Sequence, residues 1–394
     1  MVSNVFQKKE PWYQDSILDE SITLNGLTYV FENNPKSILI TGATGFFGSH
    51  ITSEVLKQTQ AKVYVLVRAE NKESALDRIR KKMEEFCLWE EKYADRIFPL
   101  IGEFSKEYLG LPVEQWDFLA GELDVIYHNG AEVNFLLPYN TLYTSNVKPT
   151  VELIKLAVTS KVKRLIYVSL VNVFNIPKLK SREIVYEEQP THSIDSPLGY
   201  IKSKWTSDRL VQEAGKRGVP VSIFRLPYVG GDMTTGYLNK KDFFWIILKA
   251  CLKLGLAPNV GEAFFAVPAD FLSKAFVYIS SGKQSVGRCY STISSEAVTW
   301  NDIFKAFISL GHKMEIVEGE VWRESMIQFL KSNTDKSIHP LLSFVRLGLP
   351  FKSPAFDNTN FIKALEGSGI ECPSFSVMAK AYNTYISEKG LLFE

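Results

Sequence analysis

The sequence is poor in cysteine and histidine, the residues that build most disulfide frameworks and many metal sites. Its four cysteines, Cys87, Cys251, Cys289 and Cys372, form no CxxC pair, and its five histidines are scattered. This spacing indicates neither a disulfide framework nor a set of metal ligands. We therefore predict isolated, buried thiols in a reducing compartment.

Long apolar segments are missing as well. The most apolar run, residues 243–256, is interrupted by Lys249 and Lys253 and is shorter than the ~20 residues that a membrane-spanning helix needs. Residues 1–16 contain no apolar core of a signal peptide. We expect a buried helix at 243–256 and a soluble, cytoplasmic protein without a membrane span.

An excess of charge of either sign is also absent. The chain has 45 Lys and Arg against 44 Asp and Glu, a formal net charge of +1. This balance argues against a nucleic-acid-binding surface or an acidic tail. Hydrophobic residues make up 45% and charged residues 23%, which is ordinary for a globular protein, and 394 residues suffice for one large domain or two fused ones.

Short apolar strands alternate with helices from Ser37 onward. Strands that are apolar on both faces and separated by helices are typical of a parallel sheet covered on both sides. The sequence therefore predicts an α/β fold, a doubly wound Rossmann-like parallel sheet. The strands are expected at 37–41, 62–67, 96–101, 125–127, 164–168 and 221–226, and the helices at 46–57, 75–86, 147–160 and 200–215.

The alternation breaks after Gly230, which indicates a second, smaller and mostly helical unit. Two stretches, 178–198 and 230–265, are too long for plain connections, and long loops are often functional, so we place the substrate side there. The predicted organisation is an extension at 1–36 on the outside of the fold, a nucleotide-binding domain at 37–230 with a return segment at about 266–298, and a substrate domain at 231–265 and 299–394.

A glycine-rich turn follows the first strand. Gly42, Gly45 and Gly48 form G-x-x-G-x-x-G between a strand and a helix. In this context the first glycine allows a tight turn, the second allows the backbone to approach a pyrophosphate, and the third allows helix and strand to pack closely. The amides of the helix N-terminus then hold the phosphates. A glycine triplet alone also fits a purely structural turn, and the strand–turn–helix context favours a dinucleotide site.

The residue at the end of the second strand bears on the choice of cofactor. NAD enzymes usually carry an acidic residue roughly 20 positions past the glycine motif to bind the ribose 2′-hydroxyl. Here Arg68 occupies that region, with Arg78 on the following helix. A cation suits a 2′-phosphate, so the sequence favours NADPH, although a solvated surface arginine is the alternative.

Tyr200 and Lys204 form a YxxxK motif, which places them one helical turn apart on one face. A nearby ammonium favours the phenolate, so we predict that it lowers the pKa of Tyr200 and makes this residue a proton donor. The motif alone occurs by chance in many helices. Its position after the glycine turn and after the strand that ends at Ser169 gives it weight.

The chain resembles the extended short-chain dehydrogenase/reductases and, more narrowly, the thioester reductase domains that terminate nonribosomal peptide and polyketide assembly lines, which are related to carboxylic acid reductases and fatty acyl-CoA reductases. The resemblance covers nearly the whole chain, from the linker-like DSILDESI (15–22) onward. The motifs that carry it are GATGFFG (42–48), VYVLVRA (63–69), IGEF (101–104), YHNGAEVN (127–134), SNV (145–147), GYIKSKW (199–205), RLPYVGGD (225–232), VPAD (267–270) and FDNTNF (356–361).

The resemblance implies roles for individual residues. Those that would surround the pyrophosphate are Gly42, Thr44, Gly45, Phe46, Phe47 and Gly48. Arg68 and Arg78 would bind the 2′-phosphate, and Glu103 and Phe104 would lie near the adenine, where many relatives have Asp-Leu. Gly130, Ala131 and Asn146 would line the cofactor, Tyr200 and Lys204 would bond the nicotinamide ribose and the substrate carbonyl, and Pro227 and Val229 would flank the carboxamide.

One position departs from the family pattern. Relatives usually have Ser or Thr where this chain has Leu170, as a second hydrogen-bond donor to the carbonyl. Ser169 is adjacent, but neighbouring strand residues point to opposite faces, so Ser169 is a candidate catalytic residue only if the strand end bulges. Losing one oxyanion donor typically costs about 10²–10³ in rate. Tyr200 working alone, a substitute donor (a water or Ser169), and loss of efficient reduction remain the alternatives.

Three further features have both structural and functional interpretations. His128, at a strand end, is expected to have a packing or backbone-bonding role. Residues 243–245 (FFW) are expected in a core, with an acyl-channel wall as the alternative. The charged stretch 178–188 is expected to be a solvated loop, with contact to a carrier protein as the alternative.

By resemblance, the expected function is NADPH-dependent reductive release of an acyl or peptidyl thioester from the phosphopantetheine arm of a carrier protein. The product would be an aldehyde, a second hydride would give the alcohol, and the enzyme is expected to be a monomer. The rivals are a free-standing fatty acyl-CoA reductase, a nucleotide-sugar epimerase or dehydratase, and a non-redox releasing or cyclising domain. Arg68 speaks against the epimerase, and Leu170 keeps the non-redox alternative open.

Overall fold

The core of the protein is a parallel sheet of seven strands. The computed structural model describes residues 10–174, 184–240, 242–294, 296, 298–347 and 354–392. The strands run in the spatial order β7-β6-β5-β4-β1-β2-β3, and every neighbouring pair is parallel. Their bounds are β1 (Ser37–Thr41), β2 (Lys62–Val67), β3 (Ile97–Ile101), β4 (Val125–His128), β5 (Arg164–Leu170), β6 (Val221–Leu226) and β7 (Arg288–Ser291).

Fourteen α-helices lie in the described residues, and most of those from α2 to α9 alternate with the strands. Their bounds are α1 (Pro11–Gln14), α2 (Phe46–Gln58), α3 (Lys72–Glu85), α4 (Val113–Glu122), α5 (Tyr139–Leu142), α6 (Lys148–Val158), α7 (Gly199–Lys216), α8 (Phe243–Leu254), α9 (Ala269–Ser281), α10 (Trp300–Ser309), α11 (Gly319–Ser332), α12 (Leu341–Leu347), α13 (Thr359–Leu365) and α14 (Phe375–Glu388). None of these helices is long and apolar enough to cross a membrane.

Short two-stranded ladders lie outside the central sheet. The parallel ones pair Ile184–Val185 with Ala355–Phe356, Tyr228–Val229 with Ala266–Val267, and Leu256–Pro258 with Glu315–Val317. Ala263–Phe264 and Val298–Thr299 pair antiparallel. The Tyr228–Val229 ladder continues the chain beyond β6 and so extends the carboxyl edge of the sheet.

Helices cover both faces of the sheet. Since side chains alternate along each strand, each strand contributes apolar side chains to both faces. On β1, Ile38 and Ile40 join the apolar core beneath α2, α3 and α9, while Leu39 joins the core on the other face beneath α4, α6 and α7. All three side chains are buried. The predicted α/β, doubly wound Rossmann-like fold is therefore confirmed.

The strand and helix predictions hold with local differences. Strands β1, β2 and β6 have the predicted bounds, and β5 runs two residues further, to Leu170. Strand β7 was not predicted as a strand, although it lies in the predicted return segment. Helix α6 begins at Lys148 because Tyr143–Val147 just before it form a π-helical turn, in which hydrogen bonds span five residues.

A third apolar core lies beyond the sheet and is built from α8, α10, α11, α12 and α14. Phe244 and Trp245 are buried in it, as predicted, whereas Phe243 is only half-buried. Residues 354–365 return from this helical part to the sheet, where Phe361 of α13 is buried against Phe271 of α9. The domain boundaries themselves stay predictions.

Residues 10–36 lie along the outside of the sheet domain. The Arg217 guanidinium, at the end of α7, donates to the backbone carbonyls of Leu18, Asp19 and Ile22. At the other end of α7, the Lys202 ammonium lies 3.8 Å from the centre of the Trp12 ring. This segment is therefore attached along the whole helix that carries Tyr200.

The cysteines differ in their exposure. Cys87 is exposed rather than buried, because it follows α3 at a positive φ of 57° in the turn that ends this surface helix. Cys251 and Cys289 are buried, and burial raises the pKa of each thiol to about 12. The prediction of buried thiols therefore holds for Cys251 and Cys289, fails at Cys87, and is met only in part by Cys372, which is partly exposed.

The charged stretch 178–188 is described only in part. Its first residues lie outside the described residues, which resume at Ile184. From there Ile184–Val185 pair with the C-terminal segment, and Glu187 is buried beneath it. The end of this stretch is therefore packed against the protein rather than a solvated loop.

Candidate active site

The glycine turn connects β1 to the N-terminus of α2. Gly42 has a φ of +72°, a conformation that side chains disfavour, and a Cβ there would lie 2.6 Å from the Gly130 Cα. A Cβ on Gly48 would collide with the Gly42 carbonyl oxygen, so this glycine lets helix and turn touch. Gly45 is the N-cap of α2. The tight turn at Gly42 and the close packing at Gly48 agree with the sequence prediction, whereas the approach of a pyrophosphate to Gly45 stays a prediction.

The first turn of α2 offers backbone amides without partners inside the helix, as every helix N-terminus does. Phe47 can contribute only its backbone, because its side chain is buried against Phe276. The Phe46 ring stacks with Tyr237 and lies edge-on to Phe86, so it too is engaged with other side chains of the protein. Thr44 is partly exposed in the turn. The side chains of Phe46 and Phe47 are therefore engaged within the protein, and this helix start presents mainly backbone amides.

A second loop at the carboxyl edge, after β4, faces the glycine turn. The Gly130 amide donates to the Thr41 hydroxyl at 3.1 Å, and a Cβ on Gly130 would collide with the Phe104 ring. Phe104, after β3, therefore lies directly over Gly130. Ala131 follows it, partly exposed. The turn after β1 and the loop after β4 meet at the point where strand order reverses, which is where dinucleotides bind such sheets.

His128 is a buried structural residue. Its Nδ1 lies 3.0 Å from the Thr41 hydroxyl and its Nε2 lies 2.9 Å from the Thr150 hydroxyl. Burial, and to a lesser degree the Lys204 ammonium, hold the pKa of His128 well below its usual range. A neutral imidazole joining β1, β4 and α6 agrees with the packing role expected from the sequence.

Arg68 and Arg78 come together at the end of β2, as predicted. Both are exposed, and Arg78 donates from Nη1 to the Arg68 carbonyl oxygen at 2.8 Å. Glu103, after β3, lies within the field of Arg68, although its hydrogen bonds with Ser105 and Lys106 are the larger causes that lower its pKa. Two guanidinium groups at the end of the second strand therefore border the glycine turn.

Tyr200 and Lys204 lie in the first turns of α7, beside β5. Lys204 donates from Nζ to the Val168 carbonyl oxygen at 2.7 Å, and its ammonium lies 4.3 Å from the centre of the Tyr167 ring. Burial lowers the pKa of Lys204 to about 7. Burial also raises the pKa of Tyr200, and among the described residues no charged group contributes to this shift.

The predicted lowering of the Tyr200 pKa is therefore wrong for this arrangement. The Lys204 ammonium is directed at the strand backbone, and desolvation of the phenolate dominates instead. The consequence is a neutral phenol at physiological pH, which keeps its proton available for donation.

Ser169 is not part of this site, which corrects its assignment as a candidate catalytic residue. Its hydroxyl donates to the Asp208 carboxylate, on α7, at 2.6 Å, and both residues are fully buried. The strand pairs regularly with β6 through Leu170, without the bulge that would turn Ser169 round. Leu170 packs in the apolar cluster that contains Tyr200.

The Asp208 carboxylate that holds Ser169 is itself paired with a buried arginine. Arg225 donates to it from Nε at 3.1 Å and from Nη2 at 3.0 Å. Sequence reasoning missed this pair, because its members lie on α7 and β6 and meet only through the fold. An RLPY signature and a mid-helix aspartate are its only traces along the chain.

Asn146 holds the site together from the π-helical turn. Its Oδ1 accepts from the Glu132 amide at 2.7 Å, and its Nδ2 donates to the Ser203 hydroxyl on α7 at 2.9 Å. It therefore connects the loop after β4 with the helix of Tyr200. Pro227 and Val229 lie at the end of β6, on the same edge of the sheet.

The surroundings of Tyr200 are aromatic. The Phe135 ring lies edge-on to Tyr200 at 5.3 Å between ring centres, and Phe243 and Phe344 extend the contact from the helical part. Phe135 also lines an outer cleft of about 450 Å³ between residues 10–12, the loop 135–140 and the start of α7. Phe135 and Phe344 were not singled out from the sequence, since aromatic residues in loops and amphipathic helices carry no periodic signal of their own.

The fold and this site define an NAD(P)-binding oxidoreductase with the extended short-chain dehydrogenase/reductase architecture. The chain belongs to the NAD-binding family described as male sterility protein, whose model matches residues 40–276. It is similar in structure to the terminal R domain from the myxalamid PKS-NRPS biosynthetic pathway. The TM-score is 0.89 at 32% sequence identity, and the match covers 96% of this chain and 97% of that one. The predicted resemblance to terminal reductase domains is thereby confirmed.

Curated relatives are much longer than this chain. One subunit of the linear gramicidin synthase of Brevibacillus parabrevis is 34% identical over 92% of this chain, which spans 7% of that protein. The large subunit of the L-2-aminoadipate reductase of Penicillium chrysogenum is 30% identical over 90% of this chain, which spans 27% of it. The chain thus corresponds to one part of each relative.

Proposed function

We propose that this chain uses NADPH to reduce an acyl or peptidyl thioester, held on the phosphopantetheine arm of a carrier protein, and releases it as an aldehyde. The observation that carries the proposal is the meeting of three features at one edge of the sheet. These are the Gly42–Gly48 turn, the Arg68–Arg78 pair, and Tyr200 beside an aromatic surface. A cofactor, its 2′-phosphate and an acyl carbonyl would each meet a matching group.

The choice of NADPH rests on Arg68 and Arg78. Their guanidinium groups are exposed at the end of β2, and guanidinium is the group best shaped for bidentate contact with a phosphate. The carboxylate of Glu103 lies in the same region, but its bonds with Ser105 and Lys106 occupy it. A 2′-phosphate would therefore meet available cations.

The residues divide the chemistry among them. Backbone amides at the start of α2 and the loop that contains Gly130 would hold the dinucleotide, which supplies a hydride when bound. Tyr200, a neutral phenol, would donate a hydrogen bond and then its proton to the carbonyl oxygen as negative charge develops there. The thiohemiacetal would then expel the thiol and leave the aldehyde. A second reduction at the same site would give the alcohol.

The carrier-bound substrate is supported by the relatives. The myxalamid neighbour is a terminal R domain of a PKS-NRPS pathway, and the gramicidin relative is a subunit of a peptide synthase. The resemblance to assembly-line reductases implies a thioester delivered by a carrier. Since this chain matches one part of much longer relatives, we propose that its substrate arrives on a carrier domain.

The test is NADPH consumption with an acyl group loaded on a carrier protein, with trapping and identification of the product. We expect an aldehyde from the wild type, and a loss of about 10²-fold or more in rate for Tyr200→Phe. Tyr278→Phe, an exposed position on α9, is the matched control and should retain full rate.

Other outcomes would replace the proposal. Binding of NADPH without its consumption, across several acyl groups, would favour the non-redox releasing domain that Leu170 keeps open. Equal turnover of long-chain acyl-CoA without any carrier would favour the acyl-CoA reductase.

A further inference from the structure

Four aromatic rings form a continuous surface that begins at Tyr200. Phe135 lies 5.3 Å from Tyr200 between ring centres, Phe344 lies 6.0 Å from Phe135, and Phe243 lies 4.6 Å from Phe344. We call Phe135, Phe243 and Phe344 the aromatic wall. They come from three separate elements: the loop after β4, the start of α8, and α12.

The wall packs against the cores and is only partly covered by them. All three phenylalanines are half-buried, whereas their neighbours Phe244 and Trp245 are fully buried in the helical core. Tyr200 itself lies in an apolar cluster against which Leu170 packs. Partly exposed aromatic side chains around a reactive hydroxyl are typical of a pocket for an apolar ligand group.

Charged groups near this surface lie at its borders: Glu10 and Lys202 line the outer cleft that Phe135 also lines, and the Lys202 ammonium lies over the Trp12 ring. Asp242, just before Phe243, accepts from the Phe244 amide at 2.7 Å and is hydrogen-bonded to the Tyr228 hydroxyl, and desolvation raises the pKa of its carboxyl to about 7. Burial raises the pKa of the Tyr200 phenol, which sits in an apolar cluster. A substrate carboxylate placed against these rings would lose water and meet only apolar faces.

We propose that the aromatic wall is the binding site for the acyl portion next to the thioester, and that this portion is apolar, an alkyl or aryl chain without charged groups. The inference rests on the proposed function, whose reacting carbonyl it places beside Tyr200. A chain that lies against Phe135 and Phe344 would bury its surface on two rings. A 2-aminoadipyl group, with an ammonium and a carboxylate, would have to be desolvated there.

The test compares thioesters that differ only in the acyl group. Octanoyl, phenylacetyl and 2-aminoadipyl groups are loaded on the same carrier, and kcat/KM is measured from NADPH consumption. We expect octanoyl or phenylacetyl to exceed 2-aminoadipyl by about 10²-fold or more, because a few apolar groups in a fitted pocket account for factors of about 10–200 each. Equal rates, or a preference for 2-aminoadipyl, would overturn the inference.

Variants of the wall make the test specific. Phe344→Ala should lower kcat/KM for octanoyl by about tenfold and leave 2-aminoadipyl within about twofold. Phe118→Ala, the same substitution at an exposed position on α4, should change neither. Phe344→Lys should raise kcat/KM for an adipyl thioester, whose free carboxylate it could pair. A uniform loss for all acyl groups would mean that Phe344 only supports the fold, and the inference would fail.

Binding separates this inference from the proposed function. Unreactive pantetheine amides with the same acyl groups are titrated against the protein. Suppose that no thioester is reduced while the octanoyl amide still binds at least tenfold tighter than the aminoadipyl amide. The proposed function is then wrong, but the assignment of the aromatic wall as an apolar binding site stands. If the amides bind with equal affinity, the aromatic wall does not select apolar acyl groups, whatever the turnover rates are.

Discussion

The hydrogen bonds of Ser169 lead to a prediction that tests whether this hydroxyl, at the end of β5, is structural or catalytic. The Ser169 hydroxyl donates at 2.6 Å to Asp208, whose carboxylate is fully buried and also accepts two bonds from Arg225. A net hydrogen bond to a charged group contributes about 1.5–3 kcal/mol. Ser169→Ala should therefore lower the free energy of unfolding by about 2 kcal/mol, because Asp208 keeps the arginine but loses one donor.

Activity should respond differently from stability. Since the Ser169 hydroxyl is held by Asp208 in a buried network, kcat of the folded Ser169→Ala enzyme should stay within about twofold of the wild type. Leu170→Thr, which restores a hydroxyl on the face of Tyr200, should raise kcat, by up to the 10²–10³ that one oxyanion donor is typically worth.

The assays are urea unfolding and single-substrate kinetics below the unfolding transition. Ser309→Ala, at an exposed position near the end of α10, is the matched control and should change the free energy of unfolding by no more than about 0.5 kcal/mol. If Ser169→Ala kept full stability but lost about 10² or more in kcat, Ser169 would be the second donor, and our assignment of it to the Asp208–Arg225 network would be refuted.

Three further predictions concern the cofactor site and the link between sheet and C-terminal segment. Gly42→Ala should abolish dinucleotide binding, measured by fluorescence titration with NADPH, because a Cβ at φ +72° would lie 2.6 Å from Gly130; unchanged affinity would contradict the turn geometry. Arg68→Ala should weaken NADPH binding by about tenfold or more and leave NADH within about twofold, and equal losses would show that Arg68 does not distinguish the two. Glu187 is buried and accepts backbone amides of Ser291, Asn360 and Phe361, and burial raises its pKa to about 7. Between the two pKa values, the native state therefore holds a proton that the unfolded chain has already released. The free energy of unfolding of the wild type, relative to Glu187→Gln, should fall from about pH 5 to about pH 8 when it is measured by urea unfolding. A constant difference between the two proteins would contradict the raised pKa.

Much of this protein was predictable because the signals are local. The run SILIT forms β1 because branched apolar residues suit a strand buried on both faces, and three glycines at fixed spacing mark the turn that follows. Tyr200 and Lys204 share a helix, so their common face follows from helical periodicity alone. The family resemblance added the fold family and the roles of the individual site residues.

The order of residues along the chain therefore specifies short-range relations: strand, turn and helix at residues 37–58, the Tyr200–Lys204 spacing, and an arginine in place of an acid after β2. Which side chains face the reaction depends on how the distant segments pack. Packing buries Ser169 against Asp208 and Arg225, directs Lys204 at the backbone of β5, and brings the three phenylalanines of the aromatic wall to one surface. These contacts join residues far apart in the chain, and their energies come from burial and desolvation, which exist only once the two faces of the sheet are covered.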